Sequence, residues 1–115
     1  MTAHKTKTLV CQTSDIADPG SKAFELKIKR KTQNIFIVHK DGCFYGYLNK
    51  CPHTGATLEW QEDQFLDMDN ALIQCAVHDA LFLIDTGECI AGPCNGDQLK
   101  ALPLDINDGN IFLAT

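Results

Sequence analysis

No stretch of this 115-residue chain stays apolar for the roughly 18 residues a membrane-spanning helix needs. Nor does a signal-peptide core follow Met1-Thr2-Ala3-His4-Lys5. These absences set the expectation of a protein made and kept in the cytoplasm, with no membrane contact. Basic residues nearly vanish after position 50, where Lys100 stands alone against eleven acids. The second half therefore lacks the basic footprint that nucleic-acid binding requires. A sustained 3.6-residue hydrophobic period is missing too, which argues against an α-helical fold. The disordered class is excluded by composition, since 44% of residues are apolar and 22% charged, ordinary values for a single soluble domain covering residues 1–115.

Charge is unevenly divided. Positions 1 to 50 hold nine basic residues against four acids, leaving about +5, and positions 51 to 115 come to about −10. An acidic half suits docking onto a basic redox partner by electrostatic steering better than it suits nucleic acid.

Cysteine is plentiful, with six in all. Two of them belong to paired segments, Cys51-Pro52-His53 and Cys75-Ala76-Val77-His78. Each segment offers one soft thiolate and one imidazole at short spacing. Four such ligands suit a tetrahedral zinc ion or a 2Fe-2S cluster in which one iron keeps two thiolates and the other takes two imidazoles. A zinc finger usually puts both cysteines in one knuckle and both histidines on a later helix. Here each knuckle mixes the two types, so each can serve both of two distinct irons. Thiols that must stay reduced to hold iron fit a reducing compartment, not a disulfide framework.

Around these ligands the chain resembles the Rieske family, through Cys51-Pro52-His53-x-Gly55-x-x-Leu58 and Cys75-x-x-His78-x-x-x-Phe82, then Thr86-Gly87-Glu88-Cys89-Ile90-Ala91-Gly92-Pro93, Leu99 and a closing Asp108-Gly109. The resemblance implies a Rieske-type 2Fe-2S cluster held by Cys51, His53, Cys75 and His78. It further implies that Cys51 and Cys75 hold the inner iron while His53 and His78 lie nearest solvent. The cluster-binding subdomain would span about residues 49–95, with the Gly92-Pro93 turn as a third covering loop. Two ferric ions, two sulfides and two thiolates sum to zero charge, so electron uptake is easier than in a four-thiolate cluster. Rieske centres accordingly span roughly −150 to +300 mV. High-potential members carry an extra cysteine in each loop and hydroxyl donors after the second histidine. This chain has Ala56, Ala76 or Val77, Ala80 and Phe82 at those places, which implies a potential at the low end and a soluble ferredoxin. Asp79, where the family usually has glycine, would lower the potential further.

The remaining pattern reads as an all-β antiparallel sandwich or small barrel, with the cluster loops at one end. Strands are expected at 8–11, 24–29, 35–39, 43–48, 71–74, 80–84, 99–106 and 111–113, with turns at 15–20 and 85–87. Phe24-Glu25-Leu26-Lys27-Ile28-Lys29 alternates, the mark of one buried and one wet face. Asp41-Gly42 and Asp108-Gly109 are hairpin turns. In the acidic segment 59–70, Trp60, Phe65, Leu66 and Met68 are expected to pack beside the core. Cys11 and Cys43 read as core residues, Cys89 and Cys94 as small packed groups, and His4 and His39 as non-ligands.

No nucleophile, base or substrate pocket stands out, so electron transfer fits better than stand-alone catalysis. The resemblance implies a ferredoxin passing electrons from a flavin reductase to a terminal oxygenase. Two other roles are a small subunit of an assimilatory nitrite reductase, with the reductase large subunit as partner, and a redox or iron sensor switched by Cys89 and Cys94.

Overall fold

The computed structural model describes residues 7–28, 31–50, 58, 64–75, 80–92 and 96–114. Within them the chain forms ten strands and one 3-10 turn, with no α-helix. In order the strands are β1 (Lys7–Gln12), β2 (Gly20–Ile28), β3 (Lys31–Lys40), β4 (Cys43–Leu48), β5 (Leu72–Gln74), β6 (Leu81–Leu83), β7 (Cys89–Ala91), β8 (Ala101–Leu102), β9 (Leu104–Asn107) and β10 (Asn110–Ala114). All pairings are antiparallel, in three sheets: β1-β10-β9, β2-β3-β4-β8 and β5-β6-β7.

The run Ile35-Phe36-Ile37-Val38 explains how the sheets stack. All four residues are fully buried, which a strand wet on one face cannot achieve. Phe36 and Val38 point into a core shared with Phe65, Ile73, Phe82 and Leu99. Ile37 points the other way, against Ile16 and Ile111, with Val10, Phe24, Phe44 and Leu104 packed around them. The second sheet is thus the middle layer. The first sheet covers one of its faces and the third sheet, whose strand β5 leads into Cys75, covers part of the other.

Local rules place the turns. Asp41 and Gly42 have φ of 53° and 79°, and Asp108 and Gly109 have 51° and 77°. Two successive left-handed residues are what a two-residue hairpin needs to match the twist of its strands. The alternating segment at 24–28 lies in β2 as expected, with Glu25 and Lys27 exposed and Phe24 and Leu26 partly buried.

Some expectations need correction. The strand anticipated over 99–106 is broken at Pro103: β8 pairs with β4 and β9 pairs with β10, so the chain changes sheets there. Proline has no N–H for a ladder, and the break falls where it stands. Residues 89–91, where no strand was anticipated, form the third strand of the small sheet. Phe65 and Leu66 are buried, but Met68 is 98% exposed. It sits at the tip of a turn held by Asp67, whose Oδ1 accepts hydrogen bonds from the Ala71 and Leu72 amides at 2.9 and 3.2 Å. Cys43 is exposed at the start of β4, and Cys11 is only partly buried. Trp60 and Cys94 lie outside the described residues.

Candidate metal centre

Strand β4 carries the chain into the first motif. Its last residues extend the pairing past the strand's end, with Leu48 N–H donating to Lys100 O at 3.0 Å and Asn49 N–H donating to Asn34 O at 2.8 Å. Cys51 and His53 follow and lie outside the described residues. At Leu58 the chain is again fully buried. There its N–H donates to Oδ1 of Asn49 at 2.8 Å, across nine positions. The segment bearing the first two candidate ligands is therefore tied at its foot by one side chain.

Cys75 is the single candidate ligand among the described residues. It is fully buried, at the end of β5. Its N–H donates to Ala80 O at 2.8 Å, joining the described residues on either side of positions 76–79; His78 and Asp79 lie outside the described residues. A third strand brings Gly92 to the same place. A Cβ there would stand 2.9 Å from Ala80 Cα, and φ is +98°, so both space and backbone conformation demand glycine. The register Gln74↔Leu81↔Ala91 runs across this end of the small sheet. Cys75, Ala80 and Gly92 are consequently neighbours at its rim.

Beneath the rim lies an apolar floor. Phe36 and Phe65 stack with centroids 4.2 Å apart and planes 5° from parallel. Leu58, Ile73, Phe82 and Leu99 complete it, all without solvent exposure. Tyr47 reaches through the floor to donate its hydroxyl to Ile84 O at 2.7 Å. Burial above all, then the nearby Asp85 and Tyr45, pushes its phenol up to about 12. Ala80 and Phe82, at the places where the family's hydroxyl donors would fall, are both buried apolar groups. Cys89 is buried and its Sγ donates to Ala91 O at 3.3 Å, the packed role anticipated for it.

A mixed Cys and His donor set suits an iron-sulfur cluster. So do a fully buried cysteine and the solvent-shielded apolar floor behind it. The described residues thus fit such a group. Among the described residues no three His, Cys, Asp or Glu side chains converge on a metal site. His39 lies elsewhere, stacked on Phe44 with Nδ1 2.9 Å from Ile16 O, as expected of a non-ligand. Asn49 went unremarked in the sequence reading. The signal was an asparagine just past an apolar strand and two residues before a candidate ligand, where a side-chain amide can take over from a backbone ladder.

Exposed acids surround the small sheet, including Asp69, Asp85, Glu88 and Asp97. The exposed or half-exposed lysines Lys22, Lys27, Lys31 and Lys40 belong to β2 and β3. No helix among the described residues is long and apolar enough to cross a membrane.

Comparison with known proteins agrees with this geometry. The Rieske 2Fe-2S domain family matches residues 6–103. A 3-phenylpropionate/cinnamic acid dioxygenase ferredoxin subunit of Photorhabdus laumondii is 32% identical over 104 residues, covering 90% of both chains. Among solved structures, a ferredoxin of Sphingomonas yanoikuyae superposes with a TM-score of 0.74 at 26% identity, covering 96% of this chain and 99% of its own. The ferredoxin of carbazole 1,9a-dioxygenase from Nocardioides aromaticivorans gives 0.74 at 21% identity, covering 95% and 97%.

Proposed function

The chain belongs to the Rieske 2Fe-2S family, and from that premise we propose that it is an electron-carrying ferredoxin of an oxygenase system. Its cluster would be held by Cys51, Cys75, His53 and His78. The observation that carries this reading is the 32% identity, over 90% of both chains, to a dioxygenase ferredoxin subunit. When bound, the cluster supplies a site that takes up and releases one electron near neutral net charge.

The residues of this chain do the rest. The thiolates of Cys51 and Cys75 would hold one iron and the imidazoles of His53 and His78 the other. Asn49, Ala80 and Gly92 hold the ligand segments against the sheet. Leu58, Phe65, Ile73 and Phe82 keep water from the protein side, so few dipoles there must reorient when the charge changes. The lack of hydroxyls at Ala80 and Phe82 supports a potential in the lower part of the Rieske range. We read residues 1–115 as one domain with the cluster-binding part at about 49–95. A cluster that needs reduced thiolates supports a reducing compartment such as the cytoplasm. Partners would be a flavin reductase and a terminal oxygenase.

Anaerobic purification tests the reading. Iron and acid-labile sulfide in equal amounts are expected, with a rhombic EPR signal on reduction that shows hyperfine coupling to two imidazole nitrogens. One zinc and no sulfide would refute it.

A further inference from the structure

We propose that Asn49 is the clasp of the first ligand loop, a positioning residue that governs how firmly the chain retains its cluster. The inference rests on the assignment of Cys51 and His53 as ligands above.

Four features of the structure converge on it. Asn49 is the only buried polar or charged residue among those described, at 5% exposure. A buried amide is costly to keep unless its hydrogen bonds are made. Its backbone is fixed, because its N–H donates to Asn34 O and so continues the pairing of β4 with β3. Its side chain is committed as well, since Oδ1 accepts from the buried Leu58 N–H at 2.8 Å. Lastly, the two ligand segments differ in how they close. The second uses a backbone bond across five positions, Cys75 N–H to Ala80 O, which no substitution short of proline removes. Among the described residues, those flanking the first are joined nine positions apart by the Asn49 side chain.

The consequence is kinetic. If one metal bond in the first segment opens, a clasped loop keeps the freed ligand close to its iron, at high effective concentration. An unclasped loop lets it wander, and the second bond breaks before the first reforms. Without Asn49 the Leu58 N–H also stays buried with this acceptor gone. Asn49 thus acts through the loop and not on the iron.

The test uses the loaded protein and three variants, following decay of the visible cluster absorbance in excess iron chelator, well below the denaturation midpoint. Asn49→Leu has similar bulk and no acceptor. It is expected to lose the cluster about tenfold faster than wild type, the equivalent of one buried hydrogen bond of about 1.4 kcal/mol. Its reduced EPR lines should broaden as the loop samples more geometries. Asn49→Asp keeps an acceptor oxygen and should stay within about twofold of wild type. If Asn49→Leu does not fold, Asn49→Ser, too short to reach Leu58, takes its place with the same expectation. Equal decay in all variants would overturn the clasp while leaving the ferredoxin reading intact. Equally fast decay in the Leu and Asp variants would also overturn it, because packing and not the acceptor would then matter. A wild-type protein without acid-labile sulfide would overturn the proposed function and the clasp together.

Discussion

At Gly92 two demands coincide, a φ of +98° and an approach to Ala80 Cα that leaves no room for a methyl group. Gly92→Ala should cost about 1–3 kcal/mol from backbone strain alone, with the steric contact adding to it. The loss should appear as a lower urea midpoint and as reduced iron content, because the displaced neighbour is the foot of the second ligand segment. Tyr47 makes a different kind of prediction. Its hydroxyl satisfies the Ile84 carbonyl inside the core, so Tyr47→Phe should cost about 1 kcal/mol at neutral pH. The folded phenol has its pKa raised from 10.0 to about 12. A raised pKa means the unfolded state ionises first. This contribution is therefore complete below pH 10 and fades as pH rises toward about 12. The stability gap between wild type and Tyr47→Phe should accordingly hold up to about pH 10 and shrink from there toward about pH 12, as measured by chemical denaturation of both. A gap that stays constant would mean the phenol is not shielded as its burial implies.

Among elements, the β3–β4 hairpin shows how a turn written in sequence gains support that sequence does not display. Asp41-Gly42 announces the turn. Asp18, some twenty residues earlier, fastens it by accepting from the Asp41 and Gly42 amides at 2.9 and 2.8 Å. The Gly42 bond is the main reason its carboxyl is held below the ordinary 3.8, with the Asp41 amide and His39 assisting. A lowered pKa stabilises the fold above 3.8, and that stabilisation disappears as pH falls through the lower folded value. Asp18→Ala should leave the fold intact but speed hydrogen exchange of the two turn amides several-fold near neutral pH. The same substitution should flatten the acid limb of the stability curve. Strands with period-two alternation or a long apolar run, β2 and β3, were legible from the chain alone. The three-residue β7, paired through Cys89 opposite Phe82, was not. The two-residue β8 was anticipated only as part of one longer strand, because its partner, with Ala101 opposite Tyr47, is distant in sequence. Likewise Met68 looked like a core residue by type. Asp67, by capping the turn, decided otherwise.

Across the whole molecule, the three-layer arrangement accounts for what could and could not be read in advance. Ile35 to Val38 marked a strand, yet only the structure shows that it is covered on both sides and which sheet covers which face. Candidate ligands could be proposed from the chain alone because Cys-x-His and Cys-x-x-His are local patterns. The clasp at Asn49 and the packing of Gly92 on Ala80 were not, since each joins positions that sequence spacing cannot bring together. Charge behaves similarly. The linear count gave an acidic second half, and folding gathers part of it around the small sheet, where Asp85, Glu88 and Asp97 are exposed, while lysines occupy β2 and β3. If a basic partner approaches the ligand-bearing end, the double reversal Glu88→Lys with Asp97→Lys should slow bimolecular electron transfer about tenfold at low salt. Replacing Lys22 and Lys27 by glutamate, on the opposite-signed strands, should leave the rate unchanged or raise it slightly. Both effects should vanish above about 0.5 M salt, where screening shortens the reach of surface charge to a few ångströms. Stopped-flow rates against ionic strength decide the matter. A loss in the Glu88/Asp97 variant that persists at high salt would point to a packed contact in place of steering, and would move the docking surface from the acids to the neighbouring exposed Ile90.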